Sequence, residues 1–347
     1  MNNFWNKLKK PIFALAPMAD VTDCAFRQII TKYGKPDVFF TEFVSADGLC
    51  SPGREKLLID LKYEKNEHPI VAQIFGGKPE NIREASKLCA KLGFDGIDIN
   101  MGCPDKSVEK QYAGAALIKN PKLAREIIRA AGESGLPVSV KTRIGYNPPG
   151  GADSRAGKNE MEEWIRVLLA EDLAVLIIHL RTRKEMSDVP AHWDVMKRIV
   201  EIRDEMKKET LIFGNGNVVD LKDAEQKVKE TGCDGIMLGR AIFGNPWLFA
   251  NSKISESGAG ISIREKLEVM VEHTKLFEKM LMDTNLIRIN GRKRPTFNGA
   301  KNFAVMKKHY KAYVNGFDGA KELRVKLMET ENAKQVENIV NDFLHTR

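Results

Sequence analysis

Gly96-Ile97-Asp98-Ile99-Asn100-Met101 and Val138-Ser139-Val140-Lys141-Thr142-Arg143-Ile144 are short apolar runs that carry polar residues at alternate positions toward their ends. Strand alternation sets Asp98 and Asn100 on one face, and Lys141 and Arg143 together on one face. Six further apolar, β-branched runs accompany them: Ile12–Met18, Val38–Phe43, Ile70–Phe75, Val175–Arg181, Leu211–Asn217 and Gly235–Ile242. Amphipathic stretches lie between, at Thr22–Tyr33, Pro79–Leu92, Pro121–Ala131, Glu160–Ala170, Val195–Lys208 and Leu221–Thr231. Eight β/α alternations predict a (β/α)8 TIM barrel, since a doubly wound open sheet uses five or six strands. Function then belongs at the strand C-termini.

The chain has 347 residues, 43% apolar, 29% charged and 7% aromatic, which supplies a sizeable core and excludes collagen-like and low-complexity classes. After Gly244-Asn245-Pro246 the strand signals stop, and residues 251–260 form a Ser/Gly-rich connector. Helices are expected at Ile263–Met282, Phe297–Tyr313, Asp318–Glu329 and Glu331–Leu344. The predicted organisation is a barrel over 1–250 and a small all-helical domain over 251–347. Tyr146–Lys158 reads as a long turn-rich loop on the functional rim. No run approaches the ~18–20 apolar residues of a membrane span, and Met1–Lys10 lacks the apolar centre of a signal peptide. A soluble, cytoplasmic protein is expected, with no metal and no obligate protein partner. Five cysteines, never in Cys-x-x-Cys, argue against a disulfide framework, a zinc site or an iron–sulfur cluster.

Lys and Arg number 55 against 47 Asp and Glu, and most of the +8 excess lies after Asn251. From Arg288 to Phe317 there are eight bases and no acid, among them Arg292, Lys293, Arg294, Lys301, Lys307, Lys308 and Lys311. Phe297, Phe303, Tyr310, Tyr313 and Phe317 are interleaved with them. That combination suits phosphate contacts with stacking between them, or equally a solvated helix face whose aromatics are its core side.

Gln73, Asn100, Lys141 and His179 fall near the ends of the third to sixth runs, where a barrel filled for packing alone would carry branched apolar residues. Gly214-Asn215-Gly216-Asn217 and Leu238-Gly239-Arg240 follow the last two runs, where barrels commonly cradle a phosphate. A phosphorylated cofactor is expected. With no Gly-x-Gly-x-x-Gly opening a βαβ unit, FMN suits the site better than a permanently held NAD. Asn100-Met101-Gly102-Cys103-Pro104 presents a cysteine on a rim loop; with a pKa near ~8.5 it is mostly thiol at neutral pH and able to give up a proton as a general acid. Cys24, Cys50, Cys89 and Cys233 read as small buried hydrophobes.

At these residues the chain closely resembles the tRNA-dihydrouridine synthase family. The matching stretches are Ala16-Pro17-Met18-Ala19-Asp20-Val21-Thr22-Asp23, Val71-Ala72-Gln73-Ile74, Asp98–Pro104, Val140–Arg143, His179–Arg183, Gly214–Asn217 and Gly239-Arg240. They run in the family's order through the whole barrel, and the basic tail resembles its tRNA-binding domain. The resemblance implies Pro17, Met18 and Ala19 beneath a flavin, Gln73 bonded to its ring, Lys141 at its N1/O2 edge and His179 beside it. Asn215, Gly216, Asn217, Gly239 and Arg240 would grip its phosphate. It further implies reduction of uridine in tRNA: NADPH reduces FMN, hydride passes to C6, Cys103 protonates C5, and Asn100 and Arg143 orient the base. Arg292, Lys293, Arg294, Lys307 and Lys308 would contact tRNA.

Leu180 departs from the glycine usual after the histidine, Asn217 from a common acidic residue, and the Tyr146–Lys158 loop looks extended. Competing expectations are an FMN enzyme acting on a free pyrimidine or small enone, the same chemistry on ribosomal RNA, and an RNA chaperone with a degenerate barrel.

Overall fold

The computed structural model describes residues 3–148, 157–250, 260–282, 288–289, 292–293 and 301–346, with the side chains at 157–159, 288, 289, 292 and 293 outside that description. Its main sheet is parallel and built from β1 (Ile12–Leu15), β2 (Phe39–Phe40), β3 (Val44–Ser45), β4 (Ile70–Phe75), β5 (Gly96–Met101), β6 (Val138–Arg143), β7 (Val175–His179), β8 (Leu211–Asn215) and β9 (Gly235–Leu238). The spatial order is β1-β9-β8-β7-β6-β5-β4-β2, and an Ala14–Val38 bridge brings β2 back to β1. Helices such as Pro79–Leu92, Pro121–Gly132 and Leu221–Thr231 alternate with the strands. The architecture is the (β/α)8 barrel expected from the alternation.

Two differences from the sequence reading have local causes. The second run is two short strands, β2 and β3, rather than one segment over Val38–Phe43, and both pair with β4. Between them the Thr41 hydroxyl accepts from the Gln73 N–H at 3.0 Å, a bond a ladder carbonyl would otherwise take. β1, β7, β8 and β9 also stop two to four residues before the predicted ends. The residues that follow, Ala16-Pro17-Met18, Leu180-Arg181, Gly216-Asn217 and Gly239-Arg240, turn across the barrel mouth instead of extending the ladder.

Inside the barrel, Ile12, Ala14, Phe40, Val71, Val175, Ile177, Phe213 and Met237 form one apolar cluster. Trp5, on the turn Phe4–Lys7, closes it, with its ring edge-on to Phe213 at 5.7 Å between centroids. The sequence reading gave this N-terminal segment no role. A second, larger cluster joins the outer strand faces to the barrel helices and continues into the C-terminal helices through Phe26, Phe277, Tyr310, Leu323 and Val340.

Those C-terminal helices are Ile263–Phe277, which runs into a π-helical turn at Glu278–Met282, then Met306–Tyr313, Ala320–Met328 and Ala333–His345. The second begins later than predicted, a short 3-10 turn at Phe303–Val305 leading into Met306; 297–300 lie outside the described residues. Phe303, Tyr310 and Tyr313 are buried, so these aromatics are the core side of their helices and not a stacking surface.

Where this bundle meets the barrel helix Cys24–Tyr33, the Phe26 ring stacks on His273 at 4.9 Å, and His273 and His309 meet edge to face at 4.5 Å. Both imidazoles are fully buried and none of their four ring nitrogens has a hydrogen-bond partner. Burial pushes both pKa values down, His309 to about 3. An unfolded histidine titrates near ~6.5, so below that pH the unfolded chain takes up protons that the fold refuses. Stability is therefore intact above pH ~6.5 and declines as pH falls toward 3, with a slope of up to about 1.4 kcal/mol per pH unit for each histidine. Urea midpoints measured at pH 7 and 5.5 should fall further for the wild-type chain than for His273→Leu or His309→Leu. Parallel pH profiles in all three proteins would mean that these rings are not held neutral.

Candidate active site

Parallel register decides which side chains meet at the mouth. Gln73 lies beside Asp98, Asp98 beside Ser139, Asn100 beside Lys141, and Arg143 beside His179, which in turn lies beside Asn215. Alternate residues share a face, so these side chains stack in layers. In the lowest, Asp98 accepts from Gln73 Nε2 and from Ser139 Oγ, each at 2.6 Å. Burial raises the Asp98 carboxyl to about 6, against those two bonds, which favour the ionised form. Gln73 Oε1 accepts from Asn100 Nδ2 at 3.0 Å. Gln73 is thus wholly buried, one layer beneath the open space at the strand ends.

That open space is a cavity of about 620 Å³, within the ~300–1,000 Å³ typical of small-molecule sites. Pro17, Met18, Lys141, His179, Asn215, Gly216, Asn217, Gly239 and Arg240 all line it, together with Arg181. Ala19 is exposed on the turn beside it and does not line the wall. Gly216 sits at φ +127°, and a Cβ there would come within 2.9 Å of Ala191 Cβ and 3.3 Å of the His179 ring, so only glycine fits. Among the described residues no Asp or Glu lines the cavity, whereas Lys141, Arg181 and Arg240 do.

Lys141 occupies the floor with Asn215 Oδ1 as its hydrogen-bond partner, at 3.4 Å. Burial and the nearby Arg143 charge lower its pKa to about 8, with Asp98 and Cys103 acting the other way. A cation held this way in a hole free of carboxylates is incomplete without an anion. Burial, reinforced by Lys141, Arg143, Arg181 and Arg240, pushes His179 to about 2, so its ring is neutral. The donor set fits a phosphorylated ligand whose ring system carries negative charge.

Cys103 does not line this cavity; it is half-buried against Phe75, Val108 and Ala113, near enough to Lys141 for the two groups to interact electrostatically. Asn100 Oδ1 accepts from the backbone N–H groups of Gly102 and Cys103, at 3.1 and 2.9 Å. Arg143 donates to the Gly102 carbonyl at 2.8 Å and, through Nη1, to those of Thr182 and Met186. Arg183 donates to the Pro104 carbonyl and pairs with Glu109. Gly114, at φ +61°, lets the chain fold back so closely that a Cβ would lie 2.6 Å from the Cys103 carbonyl oxygen. Burial raises the thiol pKa, which keeps the proton on sulfur at neutral pH. Asn100 and Arg143, expected to meet a base, are therefore bonded to the cysteine loop itself.

Sequence reasoning passed over Arg181, Arg183 and Glu109 as site residues. Arg181 had a signal, standing two residues after His179 in the same apolar run; the Arg183–Glu109 pair spans 74 positions and leaves no local trace. The basic stretch divides. Lys301 is buried, 2.6 Å from Glu42 and 2.9 Å from Asp60, and Lys308 lies 3.1 Å from Asp20 on the mouth turn while remaining half exposed. Lys307 is partly exposed on the same helix. Arg292 and Lys293 fall on a strand whose side chains, like all of Arg294, lie outside the described residues.

The dihydrouridine synthase family model matches residues 14–346. A probable tRNA-dihydrouridine synthase of Staphylococcus aureus (strain Mu50 / ATCC 700699) is 40% identical over 342 residues, covering 98% of this chain and 95% of the relative. Probable tRNA-dihydrouridine synthase 2 of Bacillus subtilis (strain 168) is also 40% identical, covering 98% and 96%. Among solved structures, histamine dehydrogenase from Rhizobium sp. 4-9 superposes with a TM-score of 0.51 over 76% of this chain and 48% of its own, at 13% identity, a likeness of fold alone. Matched from the first strand to the last helix, the chain belongs to the dihydrouridine synthase family.

Proposed function

We propose that this protein reduces uridine in tRNA to 5,6-dihydrouridine, with FMN held in the mouth cavity, NADPH as the source of electrons and the C-terminal residues 251–347 as the tRNA-binding domain of a catalytic barrel over 1–250. The observation that carries the reading is a carboxylate-free cavity with Lys141 on its floor, within electrostatic reach of a thiol that keeps its proton. When bound, FMN supplies hydride transfer to C6 of the uracil ring. Lys141 stabilises negative charge on that cofactor's ring without solvent reorganisation. Arg240 and the backbone at Asn215, Gly216, Asn217 and Gly239 hold the phosphate. Pro17, Met18 and Ala19 support the ring from the mouth turn, and Gln73 fixes the layer beneath through Asp98 and Asn100.

Cys103 gives its proton to C5, so that uridine, NADPH and a proton yield dihydrouridine and NADP+. The loop bonds from Asn100 and Arg143 hold the sulfur at the rim while this occurs. A paired or stacked uridine must first leave its neighbours, at a cost of a few kcal/mol. Phosphate contacts from the tail, with Lys307 and Lys308 on one exposed helix surface, offset part of that cost. The Lys308–Asp20 pair is a surface ion pair of the kind worth ~0–1 kcal/mol, so an RNA phosphate competes for it readily. Burial of Phe303, Tyr310 and Tyr313 takes those three rings out of any stacking surface, which favours one element of the free-pyrimidine alternative. The two substrates separate by comparing turnover on free uridine with turnover on a tRNA transcript.

Cys103→Ala should retain bound flavin and tRNA affinity yet lose ~100- to 10,000-fold in turnover, the usual worth of a general acid. Wild-type turnover in that variant, measured as dihydrouridine formed under NADPH, would assign the proton to water or another group. Neutralising the tail with Lys307→Gln and Lys308→Gln should raise KM for tRNA several-fold with little change in kcat. The effect should shrink as salt rises, because screened phosphate contacts contribute less. A KM indifferent to both substitutions and salt would remove the tail helix from the RNA interface.

A further inference from the structure

Arg181 is fully enclosed except for its edge on the mouth cavity, and each of its nitrogen groups has a fixed neighbour. Nε donates to the Val189 carbonyl at 2.6 Å, Nη2 donates to Asn217 Oδ1, and Nη1 lies 2.9 Å from His179 Nε2. A guanidinium has five N–H donors and no lone pair. The 2.9 Å contact therefore makes His179 Nε2 an acceptor. A neutral imidazole with a bare Nε2 carries its hydrogen on Nδ1, and a doubly protonated ring would have no lone pair to offer Arg181. We infer that Arg181 is a positioning residue that locks His179 as the neutral, Nδ1–H tautomer and so presents one N–H donor to the ligand of the cavity.

Three further observations agree. His179 lines the cavity, and among the described residues its Nδ1 has no protein partner, so the donor is free for a bound acceptor. Asn217 accepts from Arg181 as an amide and leaves the guanidinium charge in place, with Glu185 and Asp188 acting on it from outside the cavity. Lys141, Arg143 and Arg240 surround the same ring with positive charge, and among the described residues no carboxylate on the wall draws a second proton onto it. The ligand atom that His179 meets is a hydrogen-bond acceptor, a carbonyl oxygen, ring nitrogen or phosphate oxygen of the cofactor. This inference rests on the cavity being the cofactor site proposed above.

Long-range proton–nitrogen spectra of the full chain labelled with ¹⁵N read the tautomer directly, with His179→Gln to assign the ring. The wild-type apoprotein should show a protonated Nδ1 and a bare Nε2, unchanged between pH 8 and 5.5. Arg181→Met, which keeps bulk but has no donor, should release that tautomer, let the ring take up a proton as pH falls, and weaken FMN binding to the apoprotein about tenfold. A proton on Nε2 in the wild-type spectrum overturns the inference even if Arg181→Met does not fold. An Arg181→Met spectrum identical to wild type does the same. FMN that fails to bind the wild-type chain would instead overturn the cofactor reading, and with it the acceptor named here, while the tautomer stands as a property of the protein.

Discussion

The site depends on the register of the parallel strands from β4 to β8. Side chains on a strand alternate between faces, so a slip of one residue would turn Asp98, Asn100 and Lys141 into the helix layer and bring Ile97, Ile99 and Val140 to the axis. Polar bonds that act across strands hold the register. Asp98 ties β4 to β6 through Gln73 and Ser139, and the Thr142 hydroxyl joins β6 to the Met101 carbonyl of β5 at 3.2 Å. From the outer layer, Trp164 Nε1 donates to that same hydroxyl at 3.0 Å. Apolar packing could tolerate several registers; these bonds accept one.

With register fixed, the charges sort themselves by layer. Acids near the mouth are all engaged: Asp98 beneath the floor, Glu109 with Arg183, Glu185 with His192 and the Thr182 N–H, Glu42 with Lys301. Among the described residues Lys141, Arg181 and Arg240 on the cavity wall form no ion pair with a carboxylate, and the mouth carries a positive field that an anionic ligand completes. The protein bears the cost as a weakened ammonium at Lys141, whose pKa of about 8 still leaves it mainly charged at neutral pH. Binding a phosphorylated cofactor would relieve that strain, so affinity and site formation draw on one source.

The fold was legible because the signal recurs. Eight apolar runs in alternation with amphipathic stretches identify a barrel even though single boundaries shift, and the runs at Ile70–Phe75 and Gly96–Met101 match their strands residue for residue. The cavity was legible for a related reason: Lys141, His179, Asn215 and Arg240 lie at strand ends, and barrel topology brings strand ends together. Side-chain direction was not legible. Whether Asn100 and Arg143 face a substrate or brace a loop depends on bonds to Gly102, Cys103, Thr182 and Met186 that form only after the strands are closed. Lys301 misled for the same reason, since a basic residue in a basic stretch gives no hint that Glu42 and Asp60 await it far away in the sequence.

That buried pair changes how the tail should be regarded. Glu42 accepts from Lys301 Nζ through one carboxylate oxygen and from the Asp20 N–H through the other, each at 2.6 Å. Asp20 has a left-handed backbone, φ 53°, and directly follows Pro17, Met18 and Ala19 on the turn that frames the cavity. Burial alone would lower the Lys301 pKa, but Glu42 and Asp60 hold it above its ordinary value, so the ammonium remains charged, while burial raises the Glu42 carboxyl to about 7 against the pull of Lys301. Removing one partner from a buried ion pair typically costs about 3–5 kcal/mol, because the other is left uncompensated. Deleting the C-terminal helices would therefore disturb the cavity wall as well as any RNA contact. Loss of activity in a truncated chain could not be assigned to RNA binding, whereas neutralising Lys307 and Lys308 leaves the Glu42–Lys301 brace in place and removes from the mouth turn only the surface pair with Asp20.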